Sequence, residues 1–272
     1  MITRIIPSSK EPLPVAGIGT WKTFDVPDDD PSEELTEVLT IMKNAGASLI
    51  DSSPMYGNAE KTIGRLTADP SLHDHFFYAT KVWTSGKQQG IEQMESSFQK
   101  MGRTSMDLVQ IHNLVDWETH LQTLNEWKAE GKIRYTGITH YTDELHEELE
   151  KIIRTQVIDF VQFNYSIFSR NAEISLLKLA ADRGVATIIN RPFGKGNAFG
   201  WVKGKHLPPW AREYGISNWS QFFLSYIIAH PAVTVVIPAT GDPEHAKENY
   251  DLPSVLPDEA VRKKMAAFVQ GL

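Results

Sequence analysis

The fifteen residues Ile50 to Gly64, IDSSPMYGNAEKTIG, join the end of an apolar run to the start of an amphipathic segment. Ser48 to Ile50 reads as the end of a short buried strand, and Asn58 to Leu66 as a helix with Glu60 in its first turn. Asp51 therefore sits at the strand's C-terminal end. Tyr56 follows past Pro54, where Pro54 and Gly57 keep the chain out of regular structure. Taken alone, a carboxylate and a phenol at such a seam read first as a solvated turn, so the other strand ends must decide.

Outward from that seam, the same alternation repeats in both directions. Pro14 to Trp21 reads as a first strand ending in a Gly19-Thr20 turn, and Leu35, Val38, Leu39 and Met42 mark the helix that Gly46 closes. Phe76 to Val82, Leu108 to Ile111, Ile133 to Ile138, Ile158 to Phe163 and Val185 to Ile189 read as further apolar strands. Each precedes a helical pattern, the one after Ile158 to Phe163 running from Ala172 to Ala181. The stretch from about Gly194 to Ser217 reads as a long irregular segment, and its length suggests function. A helix over Trp219 to Ala229, a last strand over Thr234 to Ile237, a short helix over Pro243 to Asn249 and an amphipathic helix over Pro257 to Gln270 complete the pattern.

About eight strand-then-helix units run through the 272 residues with no linker or break in composition. Short, nearly continuous apolar strands alternating with amphipathic helices imply a parallel sheet covered by helices. The expected fold is a single (β/α)8 TIM-barrel domain over residues 1–272. A doubly wound sheet is the weaker reading, because no dinucleotide glycine fingerprint follows the first strand.

A charge of -7 and a pI near 5.7 argue against a nucleic-acid partner. With no cysteine, the chain has no disulfide, thiolate nucleophile or thiolate metal site. The N-terminal MITRIIPSSKEPLP carries no readable signal or membrane span, so the expectation is a cytoplasmic protein with no membrane partner, a monomer or weak oligomer. His73 and His75 flank Asp74, but no strand end joins them, and they read as a solvated loop with no metal.

In a barrel of this kind the C-terminal strand ends share one face, where active sites sit. Asp51, Tyr56, Lys81 and His112 fall at or just past the second, third and fourth strand ends, and neighbouring strands lie about 4.8 Å apart. A phenol with an ordinary pKa of about 10 becomes more acidic beside an ammonium. Lys81 would supply that charge and Asp51 would hold it in place, while His112 would donate to a substrate oxygen. Such a set delivers a proton to an oxygen gaining negative charge, and a hydride carrier would complete the chemistry. Lys81 alone also allows a Schiff-base lysine of an aldolase barrel.

These motifs together resemble the aldo-keto reductase family over nearly the whole chain. GIGTW at Gly17 to Trp21, the D-x4-Y-G-x2-E-x3-G pattern from Asp51 to Gly64, GITH at Gly137 to His140, VQFNYS at Val161 to Ser166, RPFGKG at Arg191 to Gly196 and IPATGDPEHAKEN at Ile237 to Asn249 carry the likeness. The resemblance implies reduction of aldehydes and ketones with a nicotinamide cofactor, NADP(H) ahead of NAD(H). It makes Tyr56 the general acid, Lys81 and Asp51 its tuners and His112 the group that orients the carbonyl. It assigns Thr139, His140 and Gln162 to the nicotinamide carboxamide, and Arg191, Phe193 and Lys195 to the pyrophosphate. Thr240, His245, Glu248 and Asn249 fall to the adenosine end, near a helix N-terminus that would favour the anion. Gly19 and Thr20 of the first-strand signature join the cofactor set, and Trp21 and Trp83 are expected walls for a small carbonyl substrate.

The chain departs from the family pattern in places. His140 replaces the usual Asn, Asn190 the stacking Tyr, and Ala239 and His245 the 2′-phosphate clamp. Tyr165 or a loop residue would have to supply an aromatic wall, and Lys247 or Lys195 a phosphate contact. These changes keep open a nicotinamide-binding sensor with little turnover. Few residues separate His112 from the helix near Trp117, and the tail after Asn249 is short, so an open, shallow substrate site is expected.

Overall fold

In the computed structural model, which describes residues 1–272, eight parallel strands follow one another around a barrel. They are β3 (Gly17–Gly19), β4 (Leu49–Asp51), β5 (Phe77–Val82), β6 (Met106–His112), β7 (Ile133–Thr139), β8 (Phe160–Asn164), β9 (Ala186–Asn190) and β10 (Val235–Val236). A parallel bridge from Ala16 to Val236 joins the last strand to the first and closes the ring. Around it lie α1 (Glu33–Asn44), α2 (Ala59–Leu66), the one-turn α3 (Pro70–His73), α4 (Lys87–Lys100), α5 (Trp117–Ala129) and α6 (His146–Thr155). They are followed by α7 (Leu176–Asp182), α8 (Asn197–Trp201), α9 (Trp219–Ile228), α10 (Pro243–Tyr250) and α11 (Glu259–Gln270). The expected (β/α)8 architecture is thus the observed one.

The two-residue period of the strands sorts the barrel interior into layers. Leu49, Phe77, Ala79, Leu108, Tyr135, Phe160 and Ile188 pack in one apolar cluster that fills the lower barrel. One step of the period higher, the inward positions turn polar: Asp51 above Leu49, Lys81 above Ala79, Gln110 above Leu108 and Gln162 above Phe160. The site is therefore built on the barrel's own core.

The structure redraws several boundaries. The expected strand from Pro14 to Trp21 is split: β1 (Thr3–Ile5) and β2 (Pro12–Pro14) form an antiparallel hairpin, and only Gly17–Gly19 joins the barrel. Ile6 and Leu13 of the hairpin join the interior cluster, while the Tyr135 hydroxyl bonds Ser9 and Glu11 at 2.7 and 2.6 Å, so the hairpin stoppers the N-terminal end. An apolar run of two residues was too short a signal for that role. The segment from Gly194 to Ser217 is not irregular throughout. It holds 3-10 turns at Gly194–Gly196 and Pro209–Tyr214 around α8, each too short to leave a helical period. Ala172 to Ala181 is likewise a 3-10 turn at Asn171–Glu173 followed by α7.

Tyr165 is fully buried on the outer side of the barrel. Its hydroxyl meets Glu173 at 2.5 Å, and Arg262 of α11 donates to Tyr165 at 2.5 Å and to Glu173 at 2.6 Å. It anchors the C-terminal helix and is no aromatic wall for a ligand. No helix is long and apolar enough to cross a membrane.

The spacing from Asp51 to Gly64 has a packing reason at each position. Gly57 takes φ +59° beside the Asp25 carboxylate, which a Cβ would meet at 2.2 Å. Glu60 is buried and accepts from Thr80 of β5 at 2.5 Å and Ser97 of α4 at 3.1 Å, pinning α2 to both. At Gly64 a Cβ would lie 2.1 Å from the Lys100 carbonyl oxygen, so only glycine lets α2 approach the end of α4. Gly64→Ala is expected to destabilise the fold by about 1–3 kcal/mol through this overlap. Chemical denaturation of the two proteins checks it, and an unchanged midpoint would show that the approach is not tight.

Candidate active site

Lys81 and Asp51 meet inside the barrel with no access to water. The Lys81 Nζ lies 2.7 Å from Asp51 Oδ2 and donates to the Ser52 carbonyl at 2.7 Å. Burial works against the lysine's charge, but the Asp51 carboxylate and the Tyr56 phenol outweigh it and hold the Lys81 pKa above the ordinary lysine value. The other Asp51 oxygen accepts from two amides, Gln110 Nε2 at 2.9 Å and Gln162 Nε2 at 3.0 Å.

Tyr56 lies on the loop between β4 and α2, partly open to solvent. Its ring centroid is 5.0 Å from Lys81 Nζ, and its ring stands edge-on to His112 at 5.7 Å. Burial pushes the phenol's pKa up; Lys81 pulls it down, Asp51 raises it again, and the net direction is upward. Lys81 thus acts in the expected direction, toward a more acidic phenol, and burial outweighs it. Tyr56 is consequently protonated at neutral pH, as a proton donor must be.

His112, at the end of β6, is buried beside Ser53. The Ser53 hydroxyl accepts from the Met55 amide at 3.3 Å and shares a hydrogen bond with His112 Nδ1 at 2.9 Å, in which either group can be the donor. When the Ser53 hydroxyl donates to Nδ1, the ring's proton sits on Nε2, which has no partner in the protein. Burial, then the positive charge of Lys81, pushes the His112 pKa down to about 2. The ring is therefore neutral over the whole physiological range. Trp83 lies 6.4 Å from His112, and both Trp83 and Trp21 are about two-fifths exposed at the mouth.

The remaining expected residues divide. Arg191 follows β9 at φ +52°, its guanidinium 4.1 Å over the Tyr141 ring, which stacks in turn on His140 at 5.1 Å and 9°. Lys195 reaches across the mouth to within 5.7 Å of the Trp21 ring. Thr139 and His140 end β7 beside Gln162, and exposed His245 and Glu248 ride on α10. Others are engaged elsewhere. Gln162 spends both N–H groups on Asp51 and Gln110 and accepts from Asn190 Nδ2 at 3.3 Å, so one lone pair remains for a carboxamide.

Thr20 is fully buried and bonds the Asp51 carbonyl and Ser52, which makes it a strut between β3 and β4. Gly19 donates its amide to Pro238 at 3.1 Å and helps close the barrel. Phe193 packs on Phe199 at 4.9 Å, and Asn249 is buried against Ser220. Thr240 bonds Asp242, whose carboxylate already caps the first amides of α10 and occupies the place expected for an anion. Lys247 is paired with Glu244 at 2.6 Å. His75 donates to or accepts through its Nε2 at the Ala47 carbonyl, 3.0 Å away; since a carbonyl only accepts, the ring donates, in keeping with a structural histidine. Sequence reasoning overlooked Gln110, Ser53 and Tyr141, although Gln110 lies one strand period below His112 and Ser53 one period above Asp51.

The profile of the Aldo/keto reductase family matches residues 16–267. The chain belongs to the aldo-keto reductase family. Among curated relatives it is 25% identical over 189 residues to the aldo-keto reductase YhdN of Bacillus subtilis, a match covering 64% of this chain and 56% of that protein. The chain thus spans little more than half that relative's length. It is 25% identical over 232 residues to the NADH-specific methylglyoxal reductase of Escherichia coli, covering 72% of this chain and 68% of that one. An aldo-keto reductase from Klebsiella pneumoniae solved with NADPH shares the fold at TM-score 0.84, with 20% identity and coverage of 99% and 96%.

In this aldo-keto reductase chain, the His112 ring is expected to stay a neutral Nε2–H imidazole from pH 8 to pH 5. Nitrogen-15 NMR of the ring checks it, and a titration near the ordinary value of about 6.5 would contradict the buried, lysine-facing environment.

Proposed function

We propose that the protein is an NAD(P)H-dependent carbonyl reductase that converts aldehydes and ketones to alcohols. One observation carries this reading above the others: a phenol at the mouth of the barrel, with the buried Lys81 amine beside its ring and the His112 imidazole at its edge. Tyr56 gives its proton to the carbonyl oxygen, His112 donates a hydrogen bond that orients it, and Lys81 stabilises the phenolate that remains, itself held charged by Asp51. A reduced nicotinamide, when bound, supplies the hydride.

The residues at the mouth fit that cofactor. The Arg191 guanidinium has neither a hydrogen bond nor an acidic partner, and the buried Asn190 Oδ1 has no donor. In this reading Arg191 and Lys195 would hold the phosphates. Thr139, His140 and the free lone pair of Gln162 would receive the carboxamide. The Klebsiella neighbour was solved with NADPH and the Escherichia coli relative is NADH-specific, so the reading takes in both cofactors. No strong clamp for a 2′-phosphate stands on α10, since Lys247 already faces Glu244 and Glu37.

The substrate is a small carbonyl compound taken broadly. Only Asn113 to Asp116 separate β6 from α5, so no long loop covers His112, and Trp21, Met55 and Trp83 present exposed apolar surface. Asn190, in place of an aromatic, favours the second reading of a nicotinamide-binding sensor with little turnover. The aldolase reading is disfavoured, because a lysine held charged between Asp51 and Ser52 has no free electron pair for a carbonyl carbon.

Assay of an aldehyde panel with NADPH and NADH separates these readings. Tyr56→Phe is expected to lower kcat/KM by about 100-fold or more. Tyrosine-independent or undetectable turnover on every carbonyl would favour the sensor. No compound is expected to be preferred over simple aromatic aldehydes by more than about a thousandfold, since that needs buried polar contacts at the substrate.

A further inference from the structure

Directly below the reacting groups lies a closed circuit of amides. Gln110, on β6 opposite Lys81 in register, donates from Nε2 to Asp51 Oδ1 and accepts on Oε1 from Gln162 Nε2 at 3.3 Å. Gln162 donates its second N–H to the same Asp51 oxygen, and Asn190 donates to Gln162 Oε1 and to the His140 carbonyl at 3.2 Å. The directions are fixed by chemistry. Asp51 and the His140 carbonyl accept only, so Asn190 must present its NH2 to Gln162, and Gln162 and Gln110 must present theirs to Asp51. Room for the circuit comes from Gly137 on β7, where a Cβ would lie 3.0 Å from Gln110 Cγ.

We propose that Gln110 is a positioning residue for proton donation: its amide, acting with that of Gln162, holds one Asp51 oxygen so that the other fixes the Lys81 ammonium beside Tyr56. Asp51 has one oxygen for Lys81 and one for the amides. With the amide side unfilled, both oxygens compete for the ammonium and draw it down the barrel axis. Less of the carboxylate's charge is then offset near the phenol, and less of the ammonium's charge reaches it. Both changes make Tyr56 a weaker acid. The other charged and titratable groups facing this assembly are His112 on β6, His140 after β7, Arg191 after β9 and Glu60 on α2. None of them bonds Gln110. Gln162 belongs to the same machinery.

The inference rests on Tyr56 being the proton donor, and its test keeps the two apart. Gln110→Met preserves length and volume but neither donates nor accepts as the amide does. Gln110→Glu preserves shape and turns a donor into a second carboxylate facing Asp51. In both variants the alkaline break of the kcat/KM profile for aldehyde reduction is expected to move upward, by about half a pH unit in Gln110→Met and further in Gln110→Glu. Ultraviolet difference titration against the same variant carrying Tyr56→Phe reads the phenol directly, without cofactor or substrate, and is expected to shift equally. Folded variants whose break and phenol titration stay at the wild-type pH, with only a lower thermal midpoint, would overturn the proposal. A wild type with no tyrosine-dependent turnover would overturn the reductase reading, while the phenol titration would still decide the role of Gln110.

Discussion

An ammonium with no route to water is tolerable only if its charge is met at close range, and the barrel is arranged around meeting the charge of Lys81. Asp51 supplies the counter-charge at 2.7 Å and the Ser52 carbonyl a second acceptor, and two glutamine amides complete the carboxylate's coordination. A buried ion pair of this kind gains little over an apolar pair in stability, since both ions lose their hydration. Breaking it by removing one partner would leave a charge stranded. The retained cost is consistent with a charge kept for chemistry at the phenol beside it.

That arrangement depends on strand register more than on any single contact. Lys81 of β5 stands opposite Gln110 of β6, and Asp51 of β4 stands opposite Ala79, one inward position before Lys81, so the three side chains converge inside the barrel. A slip of one residue in any strand would exchange its inward and outward sets. Below the polar level, apolar side chains and the β1–β2 hairpin fill the barrel, so water has no entry from beneath. On the loop side Tyr56 is partly exposed, and Met55, Trp83 and Trp21 present exposed surface. Burial is therefore graded: complete at Lys81, nearly so at His112, partial at Tyr56. This gradient keeps His112 uncharged and Tyr56 protonated while leaving the phenol within reach of a ligand.

Two of the departures from the family pattern, His140 and Asn190, meet on one side of the mouth. His140, Tyr141 and Arg191 form a stack across the ends of β7 and β9, and Asn190 beneath them is drawn into the amide circuit. The Asn190 amide donates to both the His140 carbonyl and Gln162. The replacement thus trades a flat wall for a polar link to Gln162. Family membership and the four central side chains do not convey that exchange.

The alternation of apolar strands with amphipathic helices was legible in the chain, because strand and helix periods differ and burial on both faces leaves an uninterrupted apolar run. So was the identity of the polar strand ends, from Asp51 to His112. The hairpin, the 3-10 turns around α8 and the fate of Tyr165 were not, since segments of a few residues carry no period and a tyrosine's neighbours are set by the packing of distant elements. The sequence by itself determined which chemistry is available: a carboxylate, a phenol, an ammonium and an imidazole, on strands that must pair in parallel. Only the tertiary structure decided how those groups behave. Burial, charge separation and the direction of each hydrogen bond arise from residues as far apart as Asp51 and Gln162, which meet through barrel closure and share no local signal.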